Sequence, residues 1–219
     1  MARGKFITFE GPEGSGKTTQ IERFAEYLRS TGHDVVVTFE PGGTAIGERI
    51  REILFDRALG EMTARAELLL MNAARAQHVE QVIVPALEAG KIVLSDRFAE
   101  SSLAYQGFGR ELGLESVEPI CHFATGGVRP DLVLLLDLDV EEGLNRNRKV
   151  DSKGAAGRDA KRNRIEVESL EFHRRVRDGF LKLAKREPER FAVLDATCAP
   201  DELERQIRQA VARRLALPS

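Results

Sequence analysis

The 219-residue sequence is short of several things at once, and each shortage removes a class of function. Its only cysteines, Cys121 and Cys198, are too few for a disulfide framework and lack the C-x-x-C spacing of a metal or redox centre. They suggest a reducing compartment. Nowhere do about 18 uncharged apolar residues run together, and the opening MARGKFITFEG holds no apolar stretch of signal-peptide length. The expectation is a cytoplasmic protein with no membrane partner. Charge of one sign is also missing: the net charge is -2, which gives no global attraction to nucleic acid, so any basic site must be local. Repeats, Pro-rich linkers and low-complexity tails are absent, and 42% hydrophobic content suffices for one core, so a single domain is expected over residues 1–219.

What is present is a rhythm. Short apolar runs ending in polar or acidic residues recur: KFITFE from Lys5, DVVVTFE from Asp34, KIVLSD from Lys91, DLVLLLDLD from Asp131 and FAVLDA from Phe191. Helical patterns fill the gaps at Lys17 to Ser30, Thr63 to Ala89, Val140 to Lys149, Glu166 to Arg186 and Pro200 to Leu215. Strands rich in Val, Ile and Leu, alternating with helices, describe an α/β doubly wound parallel sheet covered on both faces. Ligands of such sheets sit beyond the carboxyl ends of the strands.

The first strand runs into Gly11, Pro12, Glu13, Gly14, Ser15, Gly16, Lys17, Thr18 and Thr19, which fits G-x-x-x-x-G-K-[ST] between a strand and a helix. Successive backbone N–H groups and a helix N-terminus make such a loop an anion cradle. The residue types assign Lys17 to the β and γ phosphates of a nucleotide and the Thr18 hydroxyl to Mg²⁺. No N-K-x-D guanine-reading motif occurs, and no apolar strand ends in Asp-Glu as in many motor ATPases. A kinase for a small acceptor remains the leading reading.

On the acceptor side, SDRF closes the third strand with Asp96 and Arg97, and arginine suits a bidentate grip on phosphate. Ser101, Ser102, Tyr105 and Gln106 follow as one wall of a pocket. Glu67, Met71, Arg75 and His78 form a helical stripe opposite Leu69, Leu70 and Ala73; taken alone it reads as a partly solvated helix face. The four histidines are scattered, and none is assigned to catalysis.

In order and spacing, EGPEGSGKTT, EPGGT, AARAQH, SDRF, LAYQG, RPDLVLLLD and NRIE resemble bacterial thymidylate kinase across nearly the whole chain. The resemblance implies a P-loop nucleoside monophosphate kinase fold with a five-stranded parallel sheet, transfer of the γ-phosphoryl of ATP to dTMP with Mg²⁺, and a homodimer. It further implies that Arg97 holds the dTMP phosphate, that Arg75 bonds the thymine, and that Glu13 sits near the sugar 3'-hydroxyl and the phosphate chemistry. Tyr105 lies against the deoxyribose and excludes a 2'-hydroxyl; Ser101, Ser102 and Gln106 complete the pocket. Glu40 and Pro41 border it with a cis peptide bond, and Asp96 orients the magnesium-bound waters.

Arg146 to Arg164 carries eight basic and two acidic residues and reads as a mobile lid. Family members whose phosphate loop lacks an arginine, as this one does, supply cations from the lid, so the resemblance implies that several of Arg148, Lys149, Arg158, Arg162 and Arg164 close over the triphosphate, Arg158 and Arg164 in catalytic roles. The resemblance also implies that Arg146 stacks on the adenine, with Asp195 to Thr197, at the end of the last strand, bordering it. The chain departs from the family pattern at Met71, where most members have an aromatic residue, at Phe39, where many have arginine, and at Asn163, where aspartate is usual. Met71 keeps open a kinase with altered pyrimidine selectivity, and a non-catalytic ATP-binding regulator is the reading from another class.

Overall fold

The computed structural model describes residues 3–152, 164–215 and 217. Five strands, β1 (Lys5–Glu10), β2 (Val35–Phe39), β3 (Ile92–Asp96), β4 (Leu132–Asp137) and β5 (Phe191–Asp195), form one parallel sheet in the order β2-β3-β1-β4-β5. Each lies within an expected apolar run, because strands flanked by helices on both faces have no solvent side to keep polar. β2 and β3 lie to one side of β1 and β4 and β5 to the other, so the strand order reverses at β1 and the sheet opens a crevice beyond Glu10.

The helices are α1 (Lys17–Ser30), α2 (Ala45–Phe55), α3 (Ala64–His78), α4 (Val84–Glu88), α5 (Ala99–Ser102), α6 (Leu114–Thr125), α7 (Val140–Ser152), α8 (Leu170–Arg186) and α9 (Pro200–Leu215). On one face of the sheet, Phe24 and Leu28 of α1 pack with Leu203, Ile207 and Val211 of α9 against Ile7, Phe9 and Leu134. On the other, Phe172, Val176 and Phe180 of α8 pack with Val117 and Cys121 of α6 against Val133 and Leu135.

Three elements depart from the sequence expectation, the first two for local reasons. α8 begins at Leu170, later than Glu166, because the Ser169 hydroxyl accepts the Phe172 N–H and caps the helix there. The long helix after Thr63 keeps a helical course to Glu88 but widens into a π-turn over Val79–Ile83, just before Pro85, which has no N–H to donate. The polar stripe of α3 is inverted. Glu67, Arg75 and His78 are 0%, 2% and 0% exposed, whereas Leu69 opposite them is 58% exposed. Polar side chains can be interior when each finds a partner, and these do.

Candidate active site

Beyond the carboxyl ends of the strands lies a cleft of about 870 Å³. Its floor is the glycine loop. Gly11, Gly14 and Gly16 take φ values of 135°, 71° and 86°, in the left-handed half of backbone space that side chains avoid. Two of them also lack room: a Cβ on Gly11 would meet the Leu136 carbonyl at 2.3 Å, and one on Gly14 the Gly143 carbonyl at 2.2 Å. Gly16 carries no side chain to cap α1, which leaves that helix's first N–H groups directed at the cleft. Lys17 folds its ammonium onto the loop, 3.1 Å from Gly11 O and 2.9 Å from Pro12 O. Burial, then the nearby Arg97 charge, lowers its pKa to about 8.

Arg97 faces the loop from the end of β3. Its backbone is itself left-handed, φ 73°, and the Ser95 hydroxyl fixes it by donating to Arg97 O at 2.7 Å. The guanidinium donates to Gly11 O at 3.2 Å, Ser101 Oγ at 3.2 Å and Glu13 Oε1 at 3.3 Å, and lies 5.0 Å over the Tyr105 ring. The Tyr105 hydroxyl donates to the same Glu13 oxygen. Burial works against an ionised Glu13, but His173, Arg97 and Lys17 outweigh it and hold its carboxyl well below the usual range. Burial and the Glu13 charge together raise Tyr105 far above an ordinary phenol, so it keeps its proton. Thr18 and Asp96 meet across the cleft, the hydroxyl donating to Asp96 Oδ2 at 2.9 Å. Two hard oxygen donors beside an anion cradle fit a magnesium ion that travels with a nucleotide.

The acceptor wall is built around a buried charge pair. Glu40, joined to Pro41 by a cis bond, accepts from Arg75 Nε at 2.8 Å and faces His78 Nδ1 at 2.9 Å. Arg75 also donates to Asn72, Ser102 and the Phe98 carbonyl, which pins its plane at the edge of the cleft beside Met71. Ser101, Ser102, Tyr105 and Gln106 line the cleft as expected, the last two from a π-helical turn, Leu103–Gly109. Of the α3 stripe, Met71 and Arg75 reach the cleft while Glu67 and His78 brace from behind.

On the donor side, Arg146 donates to Ala196 O at 3.0 Å, which brings it against the Asp195 to Thr197 segment. Arg164 requires a correction. It does not line the cleft: it is 6% exposed, with Nη2 2.5 Å from Glu67 Oε2 and Nε 3.2 Å from Leu54 O. The sealed Glu67 carboxylate needs cations, and Arg164 supplies one instead of facing a triphosphate. Arg158 and Arg162, and the side chains of Arg148 and Lys149, lie outside the described residues.

The thymidylate kinase family model matches residues 9–207. The chain belongs to the thymidylate kinase family. It is 52% identical to the thymidylate kinase of Deinococcus radiodurans over 98% of this chain and 99% of that one, and 51% identical to that of Desulfovibrio desulfuricans over 94% of each. Among solved structures, thymidylate kinase from Ehrlichia chaffeensis superposes with a TM-score of 0.76 at 32% identity, covering 95% of this chain and 98% of that one. The fold is accordingly the P-loop nucleoside monophosphate kinase fold of the thymidylate kinases.

Four further residues at or behind the cleft were not singled out from the sequence. Arg51 and Phe55 come from α2, and Arg51 stacks 4.4 Å from the Phe55 ring centre and 5.5 Å from that of Phe39. Glu10 lies beneath the floor, accepting from Phe98 N at 2.7 Å and Ser101 Oγ at 2.6 Å; burial and then Glu100 raise its pKa to about 8. His173, 2% exposed, stands 3.4 Å from Glu13, within reach of its charge but outside hydrogen-bond geometry. The one available signal was for Arg51, which follows the EPGGT turn on the next helix. Glu10 ends the first apolar run and opens EGPEGSGKTT, but nothing local assigns it a partner, and His173 belongs to no local pattern.

Proposed function

We propose that this cleft phosphorylates dTMP to dTDP with ATP and Mg²⁺, a step toward dTTP. Family membership supports the reaction, and one contact carries the division of labour: Arg97, beside the acceptor wall, reaches the phosphate loop at Gly11.

A phosphate monoester has a second pKa of about 6 and is a dianion near neutral pH, so its oxygen attacks without a general base. The obstacle is the repulsion of two anions held in line. In this reading Arg97 holds the acceptor phosphate, while the loop N–H groups and Lys17 hold the donor. A bond forms from the acceptor oxygen to the γ-phosphorus as the bond from that phosphorus to the β-γ bridging oxygen breaks, and ADP leaves. Glu13 stays ionised, steers Arg97 and Tyr105, and receives the sugar 3'-hydroxyl. Tyr105 packs on the deoxyribose where a 2'-hydroxyl would stand. Met71 and Arg75 cover and bond the base, with Glu40 and Pro41 behind them, and Ser101, Ser102 and Gln106 beside them. Arg146 lies on the adenine. Thr18 and Asp96 would hold Mg²⁺ and its waters, which supplies charge neutralisation at the β and γ phosphates. Arg158, from the basic segment, remains the proposed additional cation at the transferring phosphoryl.

The protein acts in the cytoplasm, and no described helix is long and apolar enough to cross a membrane. It works as a homodimer, joined through the face that exposes Ile46 and Ile53 of α2, Leu69 of α3 and Phe123 of α6.

Steady-state phosphorylation of a panel of nucleoside monophosphates tests the reading. dTMP is expected to have the highest kcat/KM. Preference for a purine or a ribonucleotide contradicts the assignment, a broad pyrimidine preference favours the altered selectivity that Met71 allows, and no turnover of any acceptor favours an ATP-binding regulator.

A further inference from the structure

Glu67 lies outside the cleft and touches no substrate position, yet it is sealed at 0% exposure and saturated with donors. Oε1 accepts from Gln106 Nε2 at 2.8 Å and Arg110 Nε at 3.2 Å; Oε2 accepts from Arg110 Nη2 at 3.0 Å and Arg164 Nη2 at 2.5 Å. Burial alone would drive such a carboxyl to take up a proton, but Arg110, Gln106 and Arg164 reverse that and keep it ionised. Arg110 is itself fixed by Glu168 at 2.6 Å and by the Phe172 ring 4.7 Å away.

An ionised carboxylate only accepts hydrogen bonds, so the Gln106 atom facing it must be the amide nitrogen. That settles the direction of the amide. Its carbonyl Oε1 is the amide atom turned from Glu67 and accepts no hydrogen bond among the described residues, and Gln106, though only 1% exposed, borders the cleft. The wall beside Met71 and Arg75 therefore presents a fixed acceptor. Pyrimidines divide on this point: thymine and uracil carry a donor at N3, whereas cytosine carries an unprotonated acceptor there. Two acceptors facing each other in a dry site leave both unpaired.

We propose that Glu67 is a positioning residue for base selection: by fixing Gln106 as an acceptor, it makes the site choose pyrimidines with an N3–H over cytosine. The proposal rests on the nucleoside monophosphate kinase reading given above. It also assigns base discrimination to a polar lock, which does not depend on an aromatic residue at position 71. Arg164, at the carboxyl end of the basic segment, serves that lock together with Arg110.

The test compares dTMP with dCMP. Glu67→Gln keeps the shape but offers Gln106 either a donor or an acceptor, so the ratio of kcat/KM for dTMP to that for dCMP should fall by about tenfold or more, the worth of one hydrogen bond, with the KM for ATP unmoved. Gln106→Met should lower the ratio similarly, and adding Glu67→Gln to it should lower it no further. A folded Glu67→Gln protein with the wild-type ratio overturns the proposal, as does a double variant whose losses simply add. If Glu67→Gln does not fold, the wild-type protein decides: with its glutamine amides labelled and Gln106 assigned from Gln106→Met, the Gln106 NH₂ signals should stay protected and unshifted when dTMP binds. A large shift, showing the NH₂ turned to the base, overturns it. Failure of wild-type protein to phosphorylate any pyrimidine monophosphate instead removes the kinase reading, so the two failures are distinct.

Discussion

Arg97 concentrates the site's strain and its charge in one residue. A left-handed backbone at a non-glycine residue costs on the order of 1–3 kcal/mol and persists only where its surroundings hold it. Here the Ser95 hydroxyl and the Arg97 N–H, which donates to Phe9 O at 3.0 Å, hold the turn and aim the guanidinium at the glycine loop. Arg97→Ala is therefore expected to raise the KM for dTMP by tenfold or more and to lower kcat by up to ~10³, by analogy with arginines that stabilise phosphoryl transfer. The KM for ATP should change far less; equal effects on both substrates in steady-state kinetics contradict the acceptor role. Arg97 was legible in the sequence because SDRF closes an apolar run at a strand's carboxyl end. Glu10 and His173 were not, because their neighbours, Ser101 and Glu13, come from distant segments that only folding brings together.

Among the elements, the glycine loop was the most legible, since spacing, lysine, threonine and strand-loop-helix context are all local. Its partner was hidden. Gly143 of α7 packs against the loop so closely that a Cβ there would meet Glu13 O at 2.2 Å, and Gly143 stands in no motif. Gly143→Ala should push the loop and α7 apart, cost about 1–3 kcal/mol by overpacking, and raise the KM for ATP more than that for dTMP. Thermal unfolding and steady-state kinetics read both; an unchanged melting temperature and unchanged KM for ATP would show that the close approach is immaterial. The inverted stripe of α3 shows where periodicity misleads. Its alternation is real, but the sign of the face depends on partners such as Glu40, 35 residues from Arg75, which no local window contains. Arg164 was misread for the same reason: its basic neighbourhood pointed to phosphate, while the deciding partner, Glu67, lies 97 residues away.

At the scale of the whole molecule, the parallel sheet and the position of the cleft follow from alternating strands and helices and were anticipated, whereas the strand order β2-β3-β1-β4-β5 emerges only from the structure. The outer surface was not, because exposed apolar residues announce themselves only once the core has been filled. α2, α3 and α6 pack side by side and expose Ile46, Ile53, Leu69 and, 88% exposed, Phe123. Burying one such side chain contributes roughly 1.5–3 kcal/mol, so the proposed dimer is expected to join through these helices. Light scattering should give twice the single-chain mass for the wild-type protein and the single-chain mass for Leu69→Glu; a wild-type monomer at micromolar concentration contradicts the homodimer. In the proposed reaction, acceptor and donor phosphates meet directly between Arg97 and the glycine loop, with no protein group taking the phosphoryl in between. The most direct measurement is the stereochemical course of transfer from ATP made chiral at its γ-phosphorus with oxygen isotopes. Inversion in the dTDP formed is the predicted result, and net retention, the mark of a phosphorylated enzyme intermediate, would contradict it.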